Sequence, residues 1–209
     1  LSLWGAPAIV QMDSSAYIII GSTDESLYVV DIDGSFAPGF PIAMPGPVRA
    51  KTAWEPTGTG IAIFAITTNG YLCRTDWDGF STTSVFSHSL GENANYISPV
   101  ITDADGDGEL EVYAAIDTTL FCYSFDGDFI WSAEFYSSAT TMAAANPASG
   151  DIDGDGEDEI VIEGYDALFA FNSDGSPVDS FPLQLNDDEA FSYSAPFLWD
   201  YDDDGSMEI

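Results

Sequence analysis

Positive charge is the scarcest property of this sequence. Its 209 residues include 36 Asp and Glu but only three Lys and Arg, namely Arg49, Lys51 and Arg74, so the formal net charge is −33. Nucleic acids and anionic membrane surfaces are bound largely through clusters of Lys and Arg. The composition therefore excludes both classes of partner and leaves cationic, neutral or calcium-bridged ones.

Long hydrophobic runs are also missing. No stretch approaches the roughly 18 consecutive apolar residues that a membrane-spanning helix requires, so we expect no direct membrane insertion. The first ten residues, LSLWGAPAIV, lack the basic region that opens a secretory signal peptide. We therefore expect a mature chain or an excised piece of a longer one.

Cysteine and histidine are too few for most catalytic or zinc sites. We predict that Cys73 and Cys122 are buried free thiols, and that His88, which has no Cys or carboxylate at ligand spacing, is a surface or loop residue. The sequence contains no GxSxG, HExxH or phosphate-binding glycine loop, and no pair of acids stands out as the two carboxylates of a glycosidase. We predict a protein without catalytic residues, with a non-catalytic or catalytic part of a polysaccharide-active enzyme as an alternative.

What the sequence does contain is a repeat, in which an Asp-Gly pair recurs with a leucine six residues before each Asp. The pairs begin at Asp33, Asp78, Asp126 and Asp174, and the leucines are Leu27, Leu72, Leu120 and Leu168. The residues on both sides of each Asp-Gly are rich in β-formers, which is typical of a strand, a hairpin turn and a second strand. Two further β-rich segments precede each leucine, so the pattern predicts four short strands in every repeat of roughly 40 to 51 residues.

The repeat predicts an all-β protein. Four-stranded antiparallel units at this period are typical of β-propeller blades, whereas a stacked solenoid, the competing geometry, has shorter repeats. We predict one β-propeller segment over residues 1–209. Its blades are expected at about 1–46, 47–96, 97–145 and 146–194, with an incomplete fifth blade at 195–209. We expect the chain to be part of a larger propeller; ring closure by the terminal strand onto the first blade is the alternative.

Three copies of a nine-residue motif, DxDxDGxxE, begin 48 and 49 residues apart. We call them acidic loop 1 (103–111), acidic loop 2 (151–159) and acidic loop 3 (200–208), with positions numbered one to nine. Alternating carboxylates with a glycine at the bend form an oxygen cage for a hard cation such as calcium. Positions 1, 3, 5 and 9 are predicted side-chain ligands, and position 7 is predicted to contribute its backbone carbonyl. The predicted ligands are Asp103, Asp105, Asp107, Glu109 and Glu111; Asp151, Asp153, Asp155, Glu157 and Glu159; and Asp200, Asp202, Asp204, Ser206 and Glu208.

The expected cofactor is calcium, with up to three ions. EF-hand and dockerin loops begin with the same letters but carry an acid at position 12, where acidic loops 1 and 2 have Ala114 and Ile162. Magnesium prefers to keep several waters and is seldom held by four carboxylates. Solvated acidic turns without a metal are the remaining alternative.

With these motifs the chain resembles the FG-GAP/VCBS repeats of integrin-α-type β-propellers. Gly5-Ala6-Pro7 matches the GAP half of the family name, and the DxDxDG loops follow a short first strand as they do in that family. The resemblance implies that the loop between two strands of a blade binds Ca²⁺. The first two repeats depart from the pattern, because one keeps only Asp13 in QMDSSAY and the other has WEPTGTG without an aspartate. We expect neither to bind a metal.

Aromatic residues and proline suggest two more expectations. We predict that the tryptophans pack in the core between blades, with a sugar-stacking role as the alternative. They are Trp4, Trp54, Trp77, Trp131 and Trp199. Phe40-Pro41 and Phe181-Pro182 each stand seven residues beyond the aspartate of their Asp-Gly pair, and we predict that they end the last strand of their repeats.

These patterns together predict a non-enzymatic, calcium-binding β-propeller module for adhesion or ligand recognition. Its expected location is extracellular, either secreted or on the cell surface. The expected partner is a protein or glycan at the cell surface, or further copies of the chain in a self-assembly. A structural subunit of a surface layer or extracellular filament is the alternative function.

Overall fold

The structure is a computed structural model that describes residues 3, 5–12, 14–92, 97–135, 145–164, 166–186 and 195–209. Its regular secondary structure within these ranges is entirely β-strand, which confirms the predicted all-β class. None of these residues belongs to a helix long and apolar enough to span a membrane. Trp4 and Asp13, for which the sequence suggested roles, lie outside the described residues.

The described strands form four antiparallel sheets of four strands each. Sheet 1 contains β1 (Ala8–Met12), β2 (Ser15–Gly21), β3 (Ser26–Asp31) and β4 (Ile42–Ala43). Sheet 2 contains β5 (Ala53–Pro56), β6 (Ile61–Ile66), β7 (Tyr71–Trp77) and β8 (Thr82–Ser89). Sheet 3 contains β9 (Val100–Thr102), β10 (Glu111–Ile116), β11 (Thr119–Ser124) and β12 (Phe129–Glu134). Sheet 4 contains β13 (Ala148–Gly150), β14 (Glu159–Glu163), β15 (Ala167–Phe171) and β16 (Leu183–Gln184). Neighbouring strands follow one another in the chain, so the predicted four-stranded repeat is confirmed.

The repeated leucines occupy the same place in every sheet. Each is the second residue of the third strand and is buried. The second strands of sheets 2, 3 and 4 are buried along their whole length, as in β6 with its sequence IAIFAI. A continuous apolar run of this length indicates a strand that is covered on both faces, and β-branched and aromatic side chains fit such a pleated surface.

The fourth strands are of two kinds. In sheets 2 and 3 the fourth strand follows the Asp-Gly turn closely, and its pairing with the third strand contains a register shift of the kind that a β-bulge produces. In sheets 1 and 4 only isolated bridges follow the turn, and the fourth strand has two residues.

The predicted role of the two Phe-Pro pairs is wrong. Phe40-Pro41 and Phe181-Pro182, both with cis peptide bonds, immediately precede the two-residue strands β4 and β16 and do not end them. Proline has no N–H to donate to a sheet ladder, which favours a place before the strand over one inside it.

The chain divides into two compact units, Leu1–Pro99 and Val100–Ile209. In the first unit, sheets 1 and 2 share a hydrophobic core in which Trp77 is only 1% exposed. The rings of Tyr17 and Phe40 meet Trp77 edge-on, with centroids 4.9 and 5.6 Å away. Its Nε1–H donates a hydrogen bond to the Pro38 carbonyl at 3.0 Å. The predicted core role is confirmed for Trp77.

In the second unit, sheets 3 and 4 are joined by aromatic contacts and a side-chain hydrogen bond. The rings of Phe135 and Phe169 lie 5.5 Å apart, and the Trp131 Nε1–H donates to the Ser173 carbonyl at 2.7 Å.

Cys73 in the first unit and Cys122 in the second are both buried and free, as predicted. The proposed blade bounds stay a prediction.

Residues 195–209 extend the second unit beyond sheet 4. Leu198 packs against the core of that sheet, and Trp199 pairs with Glu208 in an antiparallel bridge. Trp199 is 57% exposed, so its predicted core role is wrong. Alternate residues of an extended segment point to opposite sides, and Leu198 occupies the side that faces the sheet.

Candidate metal sites

The acidic loops lie at equivalent places in the second unit. Acidic loop 1 joins β9 to β10, and acidic loop 2 joins β13 to β14. In each case the residue before position 1 pairs with the Glu at position 9, as Thr102 pairs with Glu111 and Gly150 with Glu159. The Trp199–Glu208 bridge repeats this pairing around acidic loop 3. Antiparallel pairing thus brings the two ends of each nine-residue motif together.

Three carboxylates converge within each loop, from positions 1, 3 and 9, with one oxygen of each lying within 4.8 Å of the others. The three groups are Asp103, Asp105 and Glu111; Asp151, Asp153 and Glu159; and Asp200, Asp202 and Glu208. Among the described residues, such groups occur at these three loops. The first two groups each combine an exposed, a half-buried and a buried carboxylate, whereas Glu208 is exposed.

Backbone hydrogen bonds orient the carboxylates in the same way in all three loops. The N–H at position 6 donates to Oδ2 at position 1, over 2.9, 3.0 and 3.1 Å in acidic loops 1, 2 and 3. The N–H at position 2 donates to Oε2 of the position 9 glutamate, over 3.3, 2.8 and 2.7 Å. These two hydrogen bonds recur in every loop, and the position 1 carboxylates of acidic loops 2 and 3 accept a further backbone hydrogen bond at Oδ1.

Two residues in each loop adopt left-handed backbone conformations. Position 6 is glycine in every loop, as the motif requires, with Gly108 at a φ of 92°. Position 4 is also left-handed, as Gly106 and Gly154 in acidic loops 1 and 2 but as Asp203 in acidic loop 3, with a φ of 60°. Such a conformation is readily adopted by glycine and carries a cost for other residues. The motif as written from the sequence left position 4 undefined.

Position 5 behaves differently from positions 1, 3 and 9. Asp107, Asp155 and Asp204 lie outside the groups of three, and each accepts a hydrogen bond at Oδ1 from the N–H at position 7, at 2.8, 2.9 and 2.9 Å. The carboxylate of Glu157, at position 7, accepts a hydrogen bond from Ser173 Oγ at 2.7 Å. The ligand roles of all five positions, including the position 7 carbonyls, stay predictions.

Burial makes the negative charge of two glutamates costly. It raises the pKa of Glu111 to about 7, where the neighbouring aspartates act in the same direction and the Ala104 N–H opposes them. Burial likewise raises the pKa of Glu159, which is 1% exposed, to about 7. A carboxylate in such a place remains ionised at neutral pH more readily when a positive charge lies beside it.

Two buried carboxylate oxygens of these loops have no hydrogen-bond donor. They are Oδ1 of Asp103 and Oε1 of Glu159, both members of the converging groups. A buried polar atom left without a partner typically costs about 1–3 kcal/mol. Ca²⁺ takes oxygen ligands, several of them carboxylates, so this donor set and its unpaired oxygens fit a calcium ion.

The two acidic loops of sheets 3 and 4 are also linked to each other. The Asp158 N–H donates to the Ala104 carbonyl at 2.9 Å, and Asp158 Oδ2 accepts from Thr102 Oγ1 at 3.2 Å. The Met207 N–H of acidic loop 3 donates to the Asp151 carbonyl at 2.6 Å. Asp158 and Met207 both occupy position 8, an unspecified letter of the motif, so the sequence contained no signal for these links.

The first unit has different connections at the equivalent places. In sheet 2 the loop between β5 and β6 closes through the Thr57 N–H, which donates to the Gly60 carbonyl at 2.8 Å. In sheet 1 the connection between β1 and β2 includes Asp13, which lies outside the described residues. Our expectation that neither repeat binds a metal stays a prediction.

Solved structures resemble this chain in fold at low sequence identity. The V. cholerae biofilm matrix protein Bap1 matches with a TM-score of 0.65 and 20% identity, over 90% of this chain and 29% of that one. BBS1N, solved in complex with ARL6DN, matches with a TM-score of 0.54 and 13% identity, over 93% of this chain and 56% of that one. This chain thus spans less than two thirds of either. No curated protein sequence matches it.

A family comparison agrees with the motif. The profile of the FG-GAP-like repeat matches residues 103–162, a range that contains acidic loops 1 and 2 completely and ends within β14. The chain therefore carries an FG-GAP-like repeat, and the family resemblance indicated by its sequence is confirmed.

Proposed function

We propose that this chain is a non-enzymatic, calcium-binding β-propeller module that acts outside the cell in adhesion or ligand recognition. One observation supports the calcium part above all others. Three separate loops bring the same three carboxylates together with the same backbone hydrogen bonds, and the two in sheets 3 and 4 contain a buried carboxylate oxygen without a donor.

The topology and packing of the four sheets support the propeller arrangement. Each is a four-stranded meander, and within each unit the two sheets pack against each other, as successive blades do. A crystal structure of the chain in calcium would test it: blades radiating from one axis support the proposal, and a linear stack of sheets contradicts it.

Calcium is proposed over magnesium because of the ligands. Ca²⁺ accepts about six to eight oxygens with flexible geometry, whereas Mg²⁺ requires a near-ideal octahedron and keeps several waters. When bound, calcium would supply positive charge at the centre of each carboxylate group. Position 1 follows the first strand and position 9 opens the second, so a filled loop ties the two strands together. A measured calcium affinity in the range of extracellular modules, about 10⁻⁴ to 10⁻³ M, would support a location outside the cell.

Calcium binding is tested by calorimetry and thermal unfolding. We expect up to three calcium ions per chain, and a melting temperature that EDTA lowers and that calcium restores better than equal magnesium. The control carries Asp103→Asn, Asp151→Asn and Asp200→Asn together, which keeps the side-chain size while removing one carboxylate from each group. A melting curve indifferent to EDTA, or a control that binds calcium like the unmodified chain, would contradict the proposal.

The adhesion role is the finer part of the proposal. It is supported by the FG-GAP-like repeat and by the fold shared with Bap1, a biofilm matrix protein. Binding of the calcium-loaded chain to members of a glycan or protein array, with loss of binding in EDTA, is the expected result. Ordered self-assembly on adding calcium would instead support a structural subunit. Cleavage of a polysaccharide panel would support an enzyme and contradict the non-enzymatic role.

A further inference from the structure

We propose that Asp158 is a positioning residue that couples acidic loops 1 and 2, so that calcium binding at either loop strengthens binding at the other. This inference rests on the calcium-binding function proposed above. It concerns a residue that is not itself among the predicted ligands, and all the contacts that carry it lie within the second unit.

Asp158 contacts acidic loop 1 on both sides of its first ligand. Its N–H donates to the carbonyl of Ala104, and its Oδ2 accepts a hydrogen bond from Oγ1 of Thr102, at 2.9 and 3.2 Å respectively. Thr102 and Ala104 are the residues immediately before and after Asp103. Asp158 thus holds the backbone from which the Asp103 carboxylate, with its unpaired buried Oδ1, projects.

Asp158 is also adjacent in sequence to two predicted ligands of its own loop. It stands between Glu157, whose carbonyl is a predicted ligand, and Glu159, whose buried carboxylate belongs to the converging group. When acidic loop 2 is filled, Glu157 and Glu159 are both held in place, and the residue between them loses conformational freedom. Part of the ordering that acidic loop 1 needs is then already complete, which favours binding there. Linkage requires the same factor in the reverse direction.

Electrostatics acts against this coupling. A calcium ion in acidic loop 2 repels a second calcium ion that approaches acidic loop 1. Added salt screens this repulsion between the two ions. The hydrogen bonds of Asp158 are short-range contacts that salt screens little. We therefore expect calcium affinity to fall with rising salt while the coupling factor between the two loops rises.

Acidic loop 3 supplies an internal comparison. Its position 8 residue, Met207, also donates its N–H to the preceding loop, at the Asp151 carbonyl, but its side chain is apolar and lies near Gly150. Position 8 of acidic loop 1, Leu110, accepts a hydrogen bond from the Phe125 N–H within its own sheet. Only the link made by Asp158 includes a polar side chain at position 8, so it can be altered without changing a predicted ligand or the backbone.

The test measures the coupling factor itself. Asp202→Ala removes a ligand from acidic loop 3, and calorimetric titration of this variant with calcium, in 0.15 M and 1 M KCl, yields two stepwise constants for the remaining loops. We expect the second calcium to bind at least about fivefold more tightly than two independent sites would allow, the lower end of typical allosteric coupling.

Three further changes, each made in the Asp202→Ala chain, identify the residue responsible. Thr102→Val removes the hydroxyl donor to Asp158 at similar size, and we expect it to lower the coupling factor by more than half. Thr102→Ser keeps the hydroxyl and should retain the factor. Asp158→Asn keeps an acceptor oxygen while removing the charge, and should retain it too. Circular dichroism checks that all variants fold.

The outcomes separate the two levels of inference. Two independent constants at both salt concentrations overturn the coupling while leaving calcium binding intact. A coupling factor that Thr102→Val and Thr102→Ser change equally overturns the role of Asp158. Absence of calcium binding in the unmodified chain overturns the proposed function, and the coupling with it.

Discussion

The two units of this chain have the same four-stranded sheets but very different net charge. Residues 1–99 contain nine Asp and Glu and all three cations, a net charge of −6, whereas residues 100–209 contain 27 acids and no cation. In the first unit, Arg74 is buried and its Nε lies 2.8 Å from Asp76 Oδ1. In the second unit the acids converge in three loops. The same repeat can therefore pair a buried charge with a neighbouring side chain, as at Arg74, or bring several like charges together in one loop, as in the acidic loops.

This difference predicts the largest effect, the removal of calcium. At calcium about 100-fold above the Kd, each filled loop stabilises the folded state by about 2.7 kcal/mol, so three contribute up to about 8 kcal/mol. We expect EDTA to accelerate amide hydrogen exchange in β9–β15 and to leave β1–β8 nearly unchanged. Mass spectrometry of the intact chain measures both units in one sample. Equal acceleration in both units would show that calcium does not distinguish them.

Trp77→Ala should instead destabilise the first unit. The side chain is almost fully buried against Tyr17 and Phe40, and removing a buried Trp typically costs about 3–5 kcal/mol. We expect the free energy of unfolding to fall by that amount both in calcium and in EDTA. Trp199→Ala is the matched control, because Trp199 is 57% exposed and its loss should cost less. A calcium-dependent effect of Trp77→Ala would contradict the proposed division.

Glu159→Gln should stabilise the calcium-free chain but destabilise the calcium-bound chain. Burial raises the pKa of Glu159 to about 7, so without calcium this side chain costs nothing below its ordinary pKa of 4.5 and destabilises the folded state increasingly as the pH rises from 4.5 through about 7. Removing the charge should therefore stabilise the calcium-free chain at pH 8 by about 3 kcal/mol, because one pKa unit corresponds to about 1.4 kcal/mol. In calcium the same change removes a ligand and should destabilise. Thermal unfolding under both conditions measures the reversal.

Glu163→Gln, at the other end of the same strand, should show no such reversal. Glu163 is 3% exposed, its Oε1 has no hydrogen-bond donor, and burial raises its pKa to about 7. The charge of Glu163 likewise destabilises the folded state increasingly as the pH rises from 4.5 through about 7, so the substitution should stabilise by about 3 kcal/mol at pH 8 and have little effect at pH 4. Because Glu163 is not a predicted ligand, we expect the same gain with and without calcium. A gain that vanishes in calcium would show that Glu163 takes part in metal binding.

Asp203→Gly should have the smallest effect. Asp203 has a φ of 60° at a position that is glycine in acidic loops 1 and 2. Relief of the left-handed strain should stabilise the chain by about 1 kcal/mol. The reverse change, Gly106→Asp in acidic loop 1, should destabilise by at least as much, because space is open at that glycine but the side chain adds left-handed strain and a further negative charge. Denaturant unfolding of the two variants in calcium should give shifts of opposite sign.

The sequence predicted the features that depend on local order. The leucine register placed Leu27, Leu72, Leu120 and Leu168 correctly as equivalent buried residues, because a strand alternates its side chains whatever it packs against. The predicted core role of Trp199 was wrong because the neighbouring motif residues do not reveal which side of the segment faces sheet 4. The prediction that the Phe-Pro pairs end the last strand was wrong because the sequence pattern could not show that the fourth strand begins after them.

The same division holds at the acidic loops. The motif by itself predicted that the carboxylates at positions 1, 3 and 9 converge, because a nine-residue turn between paired strands brings them together. It grouped position 5 with them, and only the structure shows that this carboxylate lies outside the groups of three. Only the tertiary structure decided how deeply each loop is buried, which oxygens lack a donor, and that Asp158 reaches the neighbouring loop. These properties arise between residues about 50 positions apart in the chain, where packing of one sheet on the next sets the distances and no local pattern records them.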